Sequence, residues 1–367
     1  MSVADLLYTD TEDELRDSVR RLLADRCPPE AVVTAYEATP ADFSAVWKAL
    51  AAELGLAGLL VPESLGGAGA SSREVAVVME ELGRAVAPVP FLSSAVLATV
   101  ALRTAGETQT LGRLASGDAT GALAVPLSTA PARAGWQVNA DEDGLRGRVT
   151  SVAGAVDAEV FVVPVIGAQG RELHTVSRDA AGLTVTPVLT LDMTRPLADI
   201  ELSGAASTRV DSGNAEAAVG DALLCGAAML ASEQLGVAQW CFDTTLAYVK
   251  ERTQFGRPIG SFQALKHRLA DLWLQVGSAA AAARYAADTY ARQDPDAENA
   301  ATLAQAYCSG VAVHAAEECI QLHGGIGMTW EYPAHLYLKR AKSDQLALGT
   351  AYQHRARLGE LVDLPAS

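Results

Sequence analysis

The sequence predicts an α+β protein with an N-terminal helical domain, a middle β domain and a C-terminal four-helix bundle. Three observations predict this order. Apolar residues recur at helical spacing up to about residue 118, short β-branched runs alternate with turn signals over 119–213, and long alanine-rich segments occupy 214–367. The length of 367 residues also exceeds the usual span of one hydrophobic core. We therefore expect three domains, 1–118, 119–213 and 214–367, the middle one resembling a β-barrel or a sandwich.

The N-terminal part contains start and stop signals for several helices. Thr11 followed by Glu14 has the form of a capping box, and Pro28-Pro29 should end the first helix. A loop rich in Gly and Ser, over 59–72, separates later helices. The apolar face predicted for the first helix consists of Leu15, Val19, Leu22 and Leu23.

The middle and C-terminal parts differ in their hydrophobic period. Runs such as LAVPL, VFVVPVI and DIEL are short, rich in β-branched residues and bounded by turn signals, which is typical of strands. The later segments are long and apolar at helical spacing. We expect helices over 215–250, 262–292 and 297–320 and one more at the C terminus, with a turn at Pro295.

Composition disfavours several classes of function. The formal net charge of −16 argues against nucleic acid and anionic membranes as partners. The N terminus has no basic segment followed by an apolar one, and no uninterrupted apolar stretch reaches membrane-spanning length. We therefore expect a soluble, cytoplasmic protein. The scattered, odd-numbered cysteines favour buried thiols over a zinc site or disulfides. They are Cys27, Cys225, Cys241, Cys308 and Cys319.

Two segments near the C terminus contain residues suited to binding a phosphate or another anion. YVKERTQFGRPIGSFQALKHRLADL (248–272) contains an Arg-x-Gln-Phe-Gly turn whose guanidinium suits a phosphate group. QLHGGIGMTWEYPAHLYLKRAK (321–342) contains a Gly-Gly-x-Gly run that allows close backbone approach to an anion. Taken alone, the glycines would more often form an ordinary turn, and Arg252 would be a solvated helix residue. The joint occurrence of the two segments carries the family resemblance given next, which implies a phosphate-containing cofactor.

With LGT at 348–350, these segments resemble the acyl-CoA dehydrogenase superfamily, and the resemblance covers nearly the whole chain. It implies FAD as the cofactor, with the ADP half of each FAD held by these segments of a neighbouring subunit. The resemblance places Arg252 at the pyrophosphate with Gln254, Phe255 and Gln263 near it. It also implies that Gln321, Gly324 and Gly325 line the adenosine. His323 and His335 are isolated, and we interpret both as structural.

The chain departs from this family at the catalytic base. The family's reaction needs a carboxylate that takes the α-proton while a hydride passes to the flavin. Most members place a glutamate at the position of Leu348, and a minority place it at the position of Gly226. Neither residue can accept a proton, so we assign no catalytic residue to this chain. We interpret Glu233, further along the same helix, as an ordinary helix glutamate or a subunit contact.

A second departure concerns the segments that bind the flavin ring in the family. AVPLSTAPARAG and RVTSVAGAVDAE stand where the family usually has a Thr-Glu-Pro-x-x-Gly-Ser-like segment and a Trp-Ile-Ser/Thr segment. Ser128 and Thr129 are the nearest remnants of the first segment, and Ser151 and Ala153 replace the tryptophan and the hydroxyl residue of the second. The sequence therefore predicts a retained adenine side and a degraded ring side.

This asymmetry leads to a hypothesis about assembly. The chain resembles the subunits without a base in α2β2 actinobacterial dehydrogenases that act on steroid side-chain CoA esters, in which Lys339-Arg340-Ala341 replaces the usual Arg-Asp-Ala. The resemblance implies a homologous partner that supplies the glutamate, a bulky acyl-CoA substrate, and an electron-transfer flavoprotein as acceptor. Two alternatives stay open: a self-sufficient flavoenzyme with a displaced base, and a non-catalytic scaffold subunit.

Overall fold

The computed structural model describes residues 6–36, 42–133, 135–168, 170–210 and 214–364. Helices are followed by strands and then by helices again, which confirms the predicted α+β class. The first strand begins at Gly121 and the last strand of the middle sheet ends at Val210. We keep 1–118, 119–213 and 214–367 as proposed domains.

Helices make up most of the N-terminal part. A short 3-10 turn, Glu63–Leu65, lies in the loop predicted over 59–72. Two of the helices are extended by π-helical turns, which are Ala49–Glu53 after α3 and Phe91–Ala98 before α5. The α-helices are α1 (Asp10–Arg26), α2 (Pro29–Val33), α3 (Ser44–Lys48), α4 (Ser72–Ala85), α5 (Thr99–Ala105) and α6 (Gln109–Ala115).

The start of α1 differs from the prediction. The capping box consists of Thr9 and Glu12, so the prediction of Thr11 and Glu14 is wrong by two residues. Thr9 Oγ1 accepts a hydrogen bond from the backbone N–H of Glu12 at 3.2 Å, and the Glu12 carboxylate accepts one from the Thr9 N–H at 2.6 Å. Glu12 also binds Arg73 of α4, and this tertiary ion pair selects the earlier box. The Pro28-Pro29 stop is confirmed.

The middle part is one eight-stranded sheet in the order β6-β7-β3-β2-β4-β5-β8, with β1 paired to β4. Its edge strands β6 and β8 do not pair with each other within the described residues, so the sheet is not closed into a barrel there. One face carries its own apolar core, which includes Val149, Phe161 and Ile200. The strands are β1 (Gly121–Leu123), β2 (Val138–Asp141), β3 (Gly144–Ala153), β4 (Val160–Gly167), β5 (Gly170–Ser177), β6 (Leu183–Val188), β7 (Leu197–Ala205) and β8 (Thr208–Val210).

The three long C-terminal helices are confirmed as α7 (Ala215–Glu251), α8 (Gln263–Ala291) and α9 (Ala297–His323). The single helix expected after them is instead two, α10 (Ala334–Leu346) and α11 (Ala351–Leu361). Between α7 and α8 lies a small hairpin of β9 (Thr253–Gln254) and β10 (Arg257–Pro258). The hairpin brings the Arg-x-Gln-Phe-Gly turn to one end of the helical bundle.

Helix α7 is the central helix of the fold. Two glycines let α4 and α7 approach closely: a Cβ atom at Gly236 would lie 1.9 Å from the Glu80 carbonyl oxygen, and one at Gly83 would lie 2.1 Å from that of Glu233. Contrary to the sequence-based expectation, α7 is long and apolar enough to span a membrane. However, 72% of its most apolar stretch is buried in the chain, as in the core helix of a water-soluble protein.

Candidate cofactor site and the closed ring slot

The turn between α7 and α8 presents the predicted phosphate-binding residues to solvent. Arg252, Gln254, Phe255 and Gln263 are all exposed, and the Phe255 ring is 90% exposed. Phe255 and Gly256 both have positive φ, 54° and 74°, which makes the hairpin tight and points it away from the bundle. The Arg252 guanidinium forms no ion pair with any described side chain, so it is available to an anion.

The second motif lies at the same end of the bundle. Gln321, Gly324 and Gly325 are exposed where α9 ends, and Gly324 has a φ of 64°. A Cβ atom at either glycine would meet open space, so a ligand can approach this backbone closely. The Tyr248 ring stacks on the His323 ring at 4.3 Å, and its hydroxyl donates to the His323 carbonyl oxygen at 3.4 Å. Stacking and this hydrogen bond join two motifs that are far apart in the sequence.

Both histidines of this segment are used in structural contacts. The Nδ1–H of His323 donates to the Cys319 carbonyl oxygen at 2.6 Å, and its Nε2 accepts from the Tyr332 hydroxyl at 2.6 Å. His335 stacks on the Trp330 ring at 4.5 Å. No group of three potential metal-binding side chains occurs in the described residues, and all five cysteines are buried as free thiols.

The two positions at which the family carries its base come together in space. A Cβ atom at Gly226 would lie 3.0 Å from Leu348 Cδ1 and 2.5 Å from Leu97 Cδ2. Leu97 and Leu348 are both buried. The convergence supports the alignment of both positions with the family's base. The place that would hold a carboxylate and the reacting carbon is filled by leucine side chains.

The segments that would enclose a flavin ring contact each other directly. The Leu348 N–H donates to the Leu127 carbonyl oxygen at 2.7 Å, and the Leu127 N–H donates to the Ser151 carbonyl oxygen at 3.0 Å. A Cβ atom at Gly349 would lie 2.8 Å from Ala130 Cβ. We call the space between Leu127–Ala130 and Leu348–Gly349 the ring slot. It is closed, and an isoalloxazine ring does not fit in it.

A buried histidine also makes a hydrogen bond to the backbone of the closed slot. His354 of α11 donates from Nε2 to the Leu348 carbonyl oxygen at 2.9 Å. Burial lowers the pKa of His354, so the ring is neutral and this Nε2–H is its donor. Leu348 itself has a φ of 52°, a strained value for a residue with a branched side chain. Hydrogen bonds on both sides of Leu348 maintain that conformation.

The interpretation of Glu233 as an ordinary helix glutamate or a subunit contact is wrong. Its side chain is 2% exposed and lies between two guanidinium groups of its own chain. Arg195 donates to both Glu233 oxygens at 2.5 Å, and Arg340 donates to Oε1. A carboxylate fixed between two arginines and buried within the chain is not available to a substrate. Sequence periodicity could not reveal this role, because the arginines come from distant segments.

Comparisons with known proteins agree with this geometry. A family model for the acyl-CoA dehydrogenase N-terminal domain matches residues 9–118, and one for the C-terminal domain matches residues 217–362. The acyl-CoA dehydrogenase IpdE2 of Mycolicibacterium smegmatis is 36% identical over 94% of this chain and 96% of its own length. This chain belongs to the acyl-CoA dehydrogenase family.

Two solved structures of acyl-CoA dehydrogenases are similar in both sequence and fold. The ChsE4-ChsE5 complex of Mycobacterium tuberculosis is 28% identical, with 99% of this chain and 100% of that chain covered and a TM-score of 0.86. A variant of the Tcur3481-Tcur3483 steroid ACAD is 29% identical, with 96% of this chain and 98% of that chain covered and a TM-score of 0.84. The cofactor of the family is FAD. The exposed end of the bundle leaves room for a ligand at Gly324 and Gly325, whereas the contacting segments at Leu127 and Leu348 leave no room for a ring between them.

We predict that restoring the family's glutamate at Leu348 will not create an active site. In Leu348→Glu a carboxylate is buried among leucines without a partner, which should cost about 3–5 kcal/mol of unfolding free energy. The volume-conserving control Leu348→Met should cost less than about 1.5 kcal/mol. Urea unfolding and an acyl-CoA dehydrogenation assay measure both effects. Turnover by Leu348→Glu alone would contradict the closed slot.

Proposed function

We propose that this chain is one subunit of a hetero-oligomeric, FAD-dependent acyl-CoA dehydrogenase, in which a homologous partner supplies the catalytic glutamate. The complex would catalyse α,β-dehydrogenation of a bulky acyl-CoA such as a steroid side-chain ester. The observation that carries this proposal is the Leu348–Leu127 hydrogen bond, which closes the ring slot of a chain whose adenine-side residues remain exposed.

The chain's own contribution would be the adenine and pyrophosphate half of the cofactor site. Arg252 would bind the pyrophosphate through charge-assisted hydrogen bonds, with Gln254, Phe255 and Gln263 beside it. Gln321, Gly324 and Gly325 would line the adenosine. The surrounding cations Lys250, Arg257 and Lys266 make this end of the bundle basic although the whole chain carries −16. A doubly charged pyrophosphate would therefore be attracted to this end.

FAD supplies the hydride acceptor when it is bound, and this chain's residues would position it rather than react. A guanidinium at the pyrophosphate and open backbone at Gly324 and Gly325 would fix one end of the cofactor. The ring end would lie in the partner, where the glutamate takes the α-proton. An electron-transfer flavoprotein would then reoxidise the flavin in the cytoplasm.

An apolar surface on α8 and α9 supports assembly with another chain. Trp273 and Leu274 of α8 are 62% and 60% exposed, and Leu303 and Tyr307 of α9 are 46% and 39% exposed. Large exposed apolar side chains on neighbouring helices are typical of a subunit contact. Trp273 and Leu274 lie on the same helix as Gln263 of the proposed cofactor site, about three turns further along. We propose the homologous chain as its occupant. The similar ChsE4-ChsE5 structure is a complex of two differently named chains, which supports this choice.

The two alternatives explain fewer observations. A self-sufficient flavoenzyme needs space for a ring and a displaced base, but the slot is closed and Glu233 is enclosed by Arg195 and Arg340. A non-catalytic scaffold gives no reason for an exposed arginine beside two glycines with open space around them. The heteromeric subunit accounts for both.

The chain expressed alone should retain little or no FAD and should not dehydrogenate acyl-CoA. The reason is that only half of a cofactor site remains in it. Absorbance at flavin wavelengths after gel filtration, together with an artificial-acceptor assay, measures both properties. A yellow, active homo-oligomer obtained from this gene alone would favour the self-sufficient flavoenzyme.

Arg252→Ala should weaken FAD retention by the assembled complex roughly ten- to a hundredfold, because a charge-assisted hydrogen bond contributes about 1.5–3 kcal/mol. Arg252→Lys should restore only part of the affinity, since an ammonium lacks the planar fork. The matched control is Arg21→Ala, which removes another exposed arginine, on α1, and should leave FAD binding unchanged. Equal FAD affinity of Arg252→Ala and the wild type would show that the adenine-side assignment is wrong.

A further inference from the structure

Four buried charged side chains and the partly buried Arg195 lie together where α7, α10 and the β6–β7 connection meet. We call them the charge cluster, and they are Asp192, Arg195, Glu233, Arg340 and Asp344. Three carboxyl groups face two guanidinium groups. If every group were ionised, the cluster would carry one uncompensated negative charge in the interior. Such a charge is costly, and a buried carboxyl group commonly takes up a proton instead.

The hydrogen bonds show which carboxyl group is least compensated. Arg340 donates to Asp192 at 2.7 Å and also to Glu233, so both of these carboxylates contact its guanidinium. Glu233 additionally contacts Arg195 at 2.5 Å. Asp192 also accepts two hydrogen bonds from a nearby threonine, whereas the Asp344 carboxyl group has a single contact among the described residues, from Arg195 Nη1 to Oδ1 at 2.7 Å. Its Oδ2 is buried without a hydrogen-bond partner in the described residues.

Two glutamine side chains next to Asp344 also have oxygen atoms without a hydrogen-bond donor. Gln234 and Gln305 both donate from Nε2 to the Asp344 carbonyl oxygen, at 3.2 and 3.4 Å, so their side chains flank this residue. The Oε1 atoms of both glutamines are buried and find no partner among the described groups. Unpaired buried acceptors are rare because each costs about 1–3 kcal/mol. A proton on Asp344 Oδ2 would make this unpaired acceptor a hydroxyl donor in a region that holds two further unpaired acceptors.

We propose that Asp344 is a protonated carboxylic acid in the folded chain at neutral pH, and that this proton keeps the segment from Asp344 to Leu348 in the conformation that closes the ring slot. Hydrogen bonds connect the backbone of this segment to residues beside the charge cluster. Gln305 donates to the carbonyl oxygens of Asp344 and Ala347, and the Ala347 N–H donates to that of Asp344. The next residue, Leu348, makes the hydrogen bond to Leu127.

The electrostatics of the surroundings support this protonation. Burial and the negative charge of Glu233 raise the pKa of Asp344 to about 8, against the lowering effects of Arg195 and Arg340. Asp192, from the β6–β7 connection, raises it further. Helix α9 contributes the neutral Gln305 amide to the Asp344 backbone and contains no Lys or Arg that would favour the ionised form.

The consequence for stability has a definite sign. The folded pKa of about 8 lies above the ordinary value of 3.8, so unfolding at intermediate pH releases this proton. Stability from the protonated group is complete below about pH 4 and is lost as the pH rises through about 8. In Asp344→Asn the amide reproduces the protonated acid and cannot ionise. The ratio of the unfolding constants, wild type over variant, should therefore rise about tenfold per pH unit between about pH 4 and pH 8.

The decisive measurement is urea unfolding of the full chain and of Asp344→Asn from pH 5 to pH 9. We expect the variant to be more stable than the wild type at pH 8. An ionised Asp344 paired with Arg195 would give the opposite result, a variant that is less stable at every pH above 5, and would overturn the proposal. The matched control is Glu233→Gln, which removes charge from a carboxylate held by two arginines and should be destabilising throughout this range.

Two measurements on the wild type keep the proposal testable if the variant fails to fold. With carboxyl-labelled aspartate, carbon NMR should show one resonance that titrates between about pH 7 and pH 9, and its absence would refute the protonated acid. Hydrogen exchange at the Leu348 amide, corrected for the intrinsic effect of pH, should accelerate above pH 8. Unchanged protection up to pH 9 would refute the link between this proton and the closed slot.

Discussion

The hydrogen bond from the Leu348 N–H to the Leu127 carbonyl oxygen connects the C-terminal helices to the middle sheet at the place where this family carries out its chemistry. Because backbone groups make this contact, it does not depend on which side chain stands at position 348, except that proline would lack the N–H. The leucines at 97 and 348 fill the space behind it, and His354 holds the Leu348 carbonyl group from the other side. The space at these positions is therefore part of the core of this chain, and the proposed function assigns the catalytic base to another chain.

The charge cluster explains how the chain tolerates an arginine at position 340. Arginine replaces the family's usual aspartate there, so the charge at this position is positive instead of negative. Because the Arg340 side chain is only 2% exposed, its guanidinium needs carboxylates close by. Asp192 and Glu233 fill that role and fix the β6–β7 connection against α7 and α10. Glu233 therefore stabilises the fold through these ion pairs. These ion pairs account for Glu233 without assigning it to catalysis.

Part of this account could be predicted from the sequence, and the reasons for success and failure are physical. The long helices α7, α8 and α9 have strong helical periodicity, and the motifs at Arg252 and Gly324 are local in the sequence. Both could therefore be recognised from the sequence alone. The capping box was placed two residues late because the Glu12–Arg73 ion pair is a tertiary contact. The closed slot and the charge cluster join residues from distant segments. Leu348 and Gly226 revealed the loss of a base, but nothing at Leu97 indicated that its side chain fills the space.

The central claim is that a cofactor ring cannot lie in this chain although the chain helps to hold the cofactor. The most direct test is to count FAD molecules per chain in the complex purified with its homologous partner, from flavin absorbance after denaturation and quantitative amino-acid analysis. The account predicts one FAD for each pair of unlike chains and a lower FAD content when Arg252 is replaced by alanine. One FAD for every chain would require an open ring slot here and would contradict it.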